Sequence, residues 1–262
     1  MLEDIQSSKD TRNIDIDQVG IKDIVYPISL KDRNKGVQST TAKITMSVML
    51  PHQYKGTHMS RFVEILNKHK DNMDIHNVGS ILQDMRERLA SDSSFISLSF
   101  PYFMEKTAPV SKMKSLMDYN CEFSGSCSEK GLDFVLKVKV PVQSLCPCSK
   151  EISEYGAHNQ RSIASISVRF NKTVWIEDLI EIAESSASSS IYSLLKREDE
   201  KYVTEYAYDN PAFVEDIVRS LAEKLMKDDR ITWFEVECEN MESIHNHNAW
   251  ARIEKGKIND IS

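Results

Sequence analysis

Residues 37–50, VQSTTAKITMSVML, set Ile44, Met46 and Val48 in alternation against Thr45 and Ser47. Successive side chains of a strand point to opposite faces, so this alternation predicts a β-strand with one apolar face. A loop follows, PHQYKGTHMSRF at 51–62, in which Ser60 is placed to cap a short helix carrying Phe62, Ile65 and Leu66 on one face. A second helix is expected over 74–90, where Ile75, Val78, Leu82, Met85 and Leu89 recur at three- and four-residue steps. Three strands then complete the half: SSFISLSFPYFM, MDYNCEFSGSC and LDFVLKVKVPVQSL, with turn signals at 124–126 and 129–131.

The second half repeats that order without repeating its letters. RSIASISVRFN at 161–171 alternates as a strand, and 175–196 reads as helical with a break in the serine-rich SSASSS. Asn210 and Pro211 look like a cap and first position of a further helix, striped by Val214, Ile217, Val218, Leu221 and Leu225. ITWFEVECEN and AWARIEKGK supply closing strands. The expected fold class is therefore α+β, with residues 1–36 as an N-terminal arm, 37–145 as a first unit and 146–262 as a second.

Composition excludes several roles. The 262 residues are 40% hydrophobic, with no apolar run near the roughly 18 residues that cross a bilayer. A formal charge of −7 disfavours sequence-independent nucleic-acid binding, which needs a basic face. The N-terminal residues are polar and carry no secretory apolar region, so a cytoplasmic protein without nucleic-acid or membrane partners is expected. In that reducing compartment the five cysteines are not expected to form disulfides. Cys121, Cys127 and Cys238 lie in strand-like segments and read as small hydrophobes.

Cys146 and Cys148 are different. They sit in SLCPCSKEISEYGAHNQRS, residues 144–162, where a strand opens into a loop, and His158 follows twelve residues after Cys146. A bond between Cys146 and Cys148 would close a small strained ring. A closed structural zinc site would need a second matching cysteine pair, which the sequence lacks. Farther on, ENMESIHNHNAWA at 239–251 places Glu242, His245 and His247 between two strand candidates. An extended chain there would turn both histidines to one face. Glu215 stands in the first turn of a helix, where the dipole favours a carboxylate and where it could also accept two parallel N–H bonds from a guanidine-like edge. His69 and His76, on helices, are unremarkable.

Together, LPHQYKGTHMSRF, SLCPCSKEISEYGAHNQRS, LLKREDEKYVTEYAYDNPAFVEDIVR and ENMESIHNHNAWA resemble the motifs of the GTP cyclohydrolase IB family, over nearly the whole chain from Val37 onward. The resemblance implies a tunnelling fold, with two repeated units per chain, each an antiparallel sheet layered with a helix pair, assembled as a homotetramer. It implies the conversion of GTP and water to formate and 7,8-dihydroneopterin triphosphate, the entry to folate and related pterins. Water must then attack C8 of guanine, and a divalent ion with an open coordination position would generate that nucleophile.

By the same resemblance, Cys146, His158 and Glu200 would be the metal ligands, with Cys148 an alternative to Cys146. The ion would be zinc or manganese. His245 would transfer protons, oriented by Glu242 and His247, and Glu215 would hold the guanine. Arg161 and Lys201 are candidates for the triphosphate, with Arg61 reaching in from a neighbouring subunit. A non-catalytic zinc-stabilised binding protein is the competing reading, and the surplus of His and Glu beyond a closed site argues against it.

Overall fold

The computed structural model describes residues 6, 8–33 and 36–256. Among them are nine β-strands and six α-helices, an α+β protein built on a large antiparallel sheet. The strands are β1 (Ile16–Asp32), β2 (Gly36–Leu50), β3 (Ser94–Thr107), β4 (Lys114–Ser128), β5 (Gly131–Leu145), β6 (Asn159–Phe170), β7 (Ser189–Ser190), β8 (Ile231–Asn240) and β9 (Ala249–Gly256). They hydrogen-bond in the order β1-β2-β3-β4-β5-β6-β8-β9, with β7 pairing β5. The helices are α1 (Met59–His69), α2 (Val78–Leu89), α3 (Pro147–Ile152), α4 (Ile176–Glu184), α5 (Arg197–Asp209) and α6 (Val214–Lys227). Among the described residues no helix is long and apolar enough to cross a membrane. The chain forms two compact units, Met1–Pro101 with Glu122–Leu136, and Tyr102–Cys121 with Lys137–Ser262.

In the first unit the alternating face of β2 buries Ile44, Met46 and Val48, as expected, and β3 pairs alongside it. Phe62, Ile65 and Leu66 of α1 and Val78, Leu82, Met85 and Leu89 of α2 are buried too. α1 begins earlier than its expected cap: His58 takes the N-cap position and Ser60 lies within the first turn. α2 begins later, at Val78, because the buried Asp74 holds a turn of its own. Its Oδ1 accepts from His76 N–H at 2.9 Å and from Asn77 Nδ2 at 2.9 Å, an Asx arrangement that competes with helix.

The expected arm contains a strand. β1 pairs with β2 along most of its length, but its register shifts between Ile16 and Val19 and again between Ile21 and Ile24. Those bulges break the two-residue period, which is why alternation did not reveal it. Gly20 belongs to this irregular stretch: a Cβ there would come within 1.9 Å of the Met46 carbonyl oxygen. Residues 1–5, 7, 34 and 35 of the arm lie outside the described residues.

The turn expected at 124–126 is instead the interior of β4. Gly125 is small for packing, since a Cβ would meet Leu82 Cδ1 at 3.0 Å and Val78 Cγ1 at 3.1 Å on α2. The β4–β5 turn falls at residues 129–130.

In the second unit α4 stops at Glu184, where the serine-rich break was expected. Ser185 Oγ and Ser186 Oγ donate back to the carbonyls of Glu181 and Ile182, both at 2.7 Å, so hydroxyls take over carbonyls at the helix end. Residues 185–196 are not helical. Asn210 caps the opposite helix end from that expected: it is the C-cap of α5, its Nδ2 donating to the Tyr206 carbonyl at 2.8 Å. α6 starts at Val214, and Asp216 accepts the Phe213 N–H at 3.1 Å. The α6 stripe of Val214, Ile217, Val218, Leu221 and Leu225 is buried, as its spacing predicts.

Candidate active site

Cys146 leaves the end of β5 and becomes the N-cap of α3. Pro147 at the first helical position suits this start, since its missing N–H is not needed there. The Cys146 sulfur accepts the Ser149 N–H at 3.4 Å, and Cys146 N–H donates to the His158 carbonyl at 3.0 Å. Ser149 Oγ in turn accepts the His158 N–H at 3.1 Å. Two expected ligands twelve residues apart are thereby tied together by the hydrogen bonds of one short loop. Cys146 and His158 are half-buried, whereas Cys148 is exposed, and both cysteines are free thiols.

The His158 ring is held from behind. Its Nδ1 lies 3.0 Å from Gln160 Oε1, a contact that sequence reasoning missed because Gln160 looked like an ordinary strand residue. Ser243 Oγ approaches the same nitrogen at 3.4 Å. Ser243 belongs to the loop at 241–248, so this contact brings the Glu242–His247 segment to His158. The loop is not extended as expected, yet the His245 and His247 rings still share a side, stacked with centroids 5.4 Å apart and 20° between planes. Both rings are exposed. Glu242 Oε2 is buried without a hydrogen-bond partner among the described residues. Such an atom is costly unless something donates to it.

A third segment reaches the same place. Ala212 N–H donates to the Leu145 carbonyl at 3.1 Å and the Ala212 carbonyl accepts Ser144 Oγ–H at 2.9 Å. The link between α5 and α6 is thus fastened beside Cys146. Just beyond it, Phe213, Glu215 and Arg219 line a shallow depression of about 300 Å³. Glu215 and Phe213 are both exposed there, a neighbourhood that the sequence did not signal.

The other expected residues stand farther apart. Glu200 and Lys201 are exposed on the first turns of α5, and Lys201 pairs loosely with Glu205 at 3.8 Å. Asp199, between them and the helix start, is fully buried and accepts Val110 N–H, Ser111 N–H, Ser111 Oγ–H and Lys196 N–H. Burial pushes its carboxyl up, but these donors outweigh burial and hold it below the usual carboxylate range. Arg161 lines a cleft of about 770 Å³ on the second unit with Lys137, Lys139, Glu237, Glu239 and Trp250. Arg61, in the first unit, donates to the Arg88 carbonyl at 3.1 Å.

Among the described residues no three His, Cys, Asp or Glu side chains converge as a ready metal cluster. Glu200 is therefore not gathered with Cys146 and His158. The pair itself fits a metal: sulfur and imidazole donors lie on one tied loop, and the contact at Nδ1 leaves Nε2 for an ion.

Comparison with solved structures finds the same fold in uricase from Arthrobacter globiformis, with a TM-score of 0.54 at 8% identity over 94% of this chain and 95% of that one. Uricase from Bacillus fastidious gives 0.55 at 8% identity over 94% of each. At such identity the likeness speaks for fold alone. Sequence relatives say more. A GTP cyclohydrolase FolE2 of Geotalea uraniireducens is 59% identical over 98% of this chain and 94% of its own length. Those of Citrifermentans bemidjiense and Syntrophobacter fumaroxidans are 57% and 54% identical, covering 98% and 97% of this chain and 96% and 99% of their own. The family model for type I GTP cyclohydrolase FolE2 matches residues 2–251, so the chain belongs to that family.

Proposed function

We propose that the chain converts GTP and water to 7,8-dihydroneopterin triphosphate and formate, the first step of tetrahydrofolate synthesis, as a type IB enzyme. The observation that carries the site assignment is the convergence of Cys146, His158 and the 241–248 loop through hydrogen bonds at His158. It brings sulfur, imidazole and further acid–base groups to one end of the second unit.

In this reading Cys146 and His158 would hold a divalent ion, zinc or manganese, with Glu200 as the third ligand. Cys146 is preferred to Cys148 because its sulfur is fixed by Ser149 N–H on the loop shared with His158. When bound, the ion supplies Lewis-acid activation of water near neutral pH. Glu215 accepts the guanine N1–H and amino group, and Phe213, which lines the same depression, offers apolar surface to the base. That contact orients C8 for attack. His245 takes and returns protons, delivering one to the departing ring nitrogen, a role suited to imidazole. Glu242 and His247 orient it, and the stacked geometry of the two rings supports the pairing. Arg161 and Lys201 contact the triphosphate, and Arg61 reaches in from a neighbouring copy.

The reading also takes the fold as a tunnelling fold of two repeated units, forming a cytoplasmic homotetramer. Incubating the purified protein with GTP and added zinc or manganese tests the activity. Equimolar formate and a pterin that fluoresces after oxidation are expected. Unchanged GTP, or guanine opened without a pterin, would reject it.

A further inference from the structure

We propose that Gln160 is a positioning residue that sets the tautomer of His158 through a buried relay ending on the Ala212 carbonyl. The relay rests on side chains the reaction itself does not use. Ser144, Gln160 and Asn240 are 1%, 7% and 3% exposed, and each hydrogen-bonds another within the protein.

The direction of every bond follows from one fixed end. A backbone carbonyl only accepts, so Ser144 Oγ donates its single proton to Ala212 O at 2.9 Å. Ser144 Oγ can then only accept. It takes one N–H from Gln160 Nε2 at 3.3 Å and one from Asn240 Nδ2 at 3.2 Å. The Asn240 orientation is consistent, because its Oδ1 accepts Ser162 Oγ–H at 2.7 Å. With the Gln160 nitrogen committed to Ser144, its Oε1 faces His158 Nδ1 at 3.0 Å. That oxygen has no proton, so Nδ1 must carry one, and Ser243 Oγ, farther off at 3.4 Å, can only accept from it. The lone pair of the neutral ring is left on Nε2.

The opposite arrangement is penalised at both ends. Flipping the Gln160 amide would set its oxygen against a Ser144 oxygen that has no proton to give, inside the protein, where an unmatched acceptor is costly. It would also aim N–H at Nδ1 and move the imidazole proton to Nε2, the nitrogen required for a metal. The relay therefore keeps His158 ready for ligation before any ion arrives. Its far end, Ala212, directly precedes Phe213 and lies three residues before Glu215, so the segment that would hold guanine also fixes the metal-facing ring. This inference rests on His158 being a ligand, and the test separates the two claims.

Histidine side-chain nitrogens of the metal-stripped, nitrogen-15-labelled full chain should be read by NMR at about pH 8.5, where imidazole is ordinarily neutral. His158 should show one Nδ1-protonated tautomer; an Nε2-protonated or mixed ring overturns the proposal without any variant. Zinc titration then supplies the second reading. Gln160→Met should lose the tautomer preference and bind zinc about 10- to 100-fold more weakly. Gln160→Glu keeps an acceptor for Nδ1–H and should retain the Nδ1-protonated tautomer, while its second oxygen, set against Ser144, lowers stability. If His158→Ala loses zinc while Gln160→Met binds it normally, the relay has no role. If His158→Ala keeps full zinc affinity, the ligand assignment fails, and the wild-type NMR spectrum still decides the tautomer.

Discussion

The two compact units solve the same burial problem with different materials. In the first, α1 and α2 cover strands with Phe62, Ile65, Leu66, Val78, Leu82 and Met85, all essentially inaccessible to water. In the second, an equally apolar α6 stripe is joined by buried Ser144, Gln160, Ser162, Glu177, Asp199 and Asn240. Apolar packing is tolerant of detail, whereas each buried polar group must find its partner. The second unit therefore specifies particular side-chain directions, which is what a reaction centre needs. The first buries fewer polar groups, Asp74 and Ser94 among them, and rests more on apolar contact.

Cutting at the two expected ligands should have the largest effect. Cys146→Ala and His158→Ala should each lose most bound metal and nearly all turnover while keeping the wild-type circular dichroism spectrum. Cys148→Ala should be milder, because its thiol is exposed. Metal analysis and formate release on one preparation settle this, and a Cys148 variant worse than Cys146 would reverse the assignment.

Next in size is His245→Ala. Loss of a positioned acid or base costs roughly 100- to 10,000-fold in rate. The variant should bind metal and GTP nearly normally but turn over slowly in single-turnover measurements. Loss of metal would make His245 a ligand instead.

Glu215→Ala should act on affinity rather than chemistry. Losing hydrogen bonds to a charged acceptor costs about 1.5–3 kcal/mol of binding. GTP affinity measured calorimetrically should fall while metal content stays constant; unchanged affinity would return Glu215 to its role at a helix start.

The smallest effect on turnover is expected from the first unit. Leu82→Ala, at a fully buried position, should lower unfolding free energy by about 2–5 kcal/mol in denaturant titrations. Zinc affinity and turnover of the folded fraction should not change. A folded Leu82 variant with weakened zinc binding would break the division of labour between the units.

The sequence disclosed those parts whose physics is periodic or chemically distinctive. Alternation found β2 and β6, and helical stripes found α2 and α6, because apolar burial repeats with the backbone. Cys146, His158 and the Glu242–His247 loop stood out as reactive types in polar segments. What stayed hidden depends on one contact at a time. The bulges of β1 erase its period, and Gly125 mimics a turn while making room for Leu82. Asn210 suits either end of a helix, so its side was decided only by where the α5 carbonyls fall. Gln160 and Ser144 matter through partners that are distant in sequence.

α5 buries only Asp199 and Ala207. Its N-terminal end is held by the bonds Asp199 receives from Val110, Ser111 and Lys196, and its C-terminal end by Lys150, whose Nζ donates to the Tyr208 carbonyl at 2.5 Å and lies over the Tyr208 ring. With so little apolar contact, the α5 amides are expected to exchange with solvent deuterium earlier than those of the apolar α6. If Glu200 must come to Cys146 and His158, part of the ion's intrinsic affinity is spent in closing this helix, and the measured affinity is diluted by the fraction of molecules already closed. Slowed deuterium uptake along α5 would then be the kinetic signature of an ion arriving.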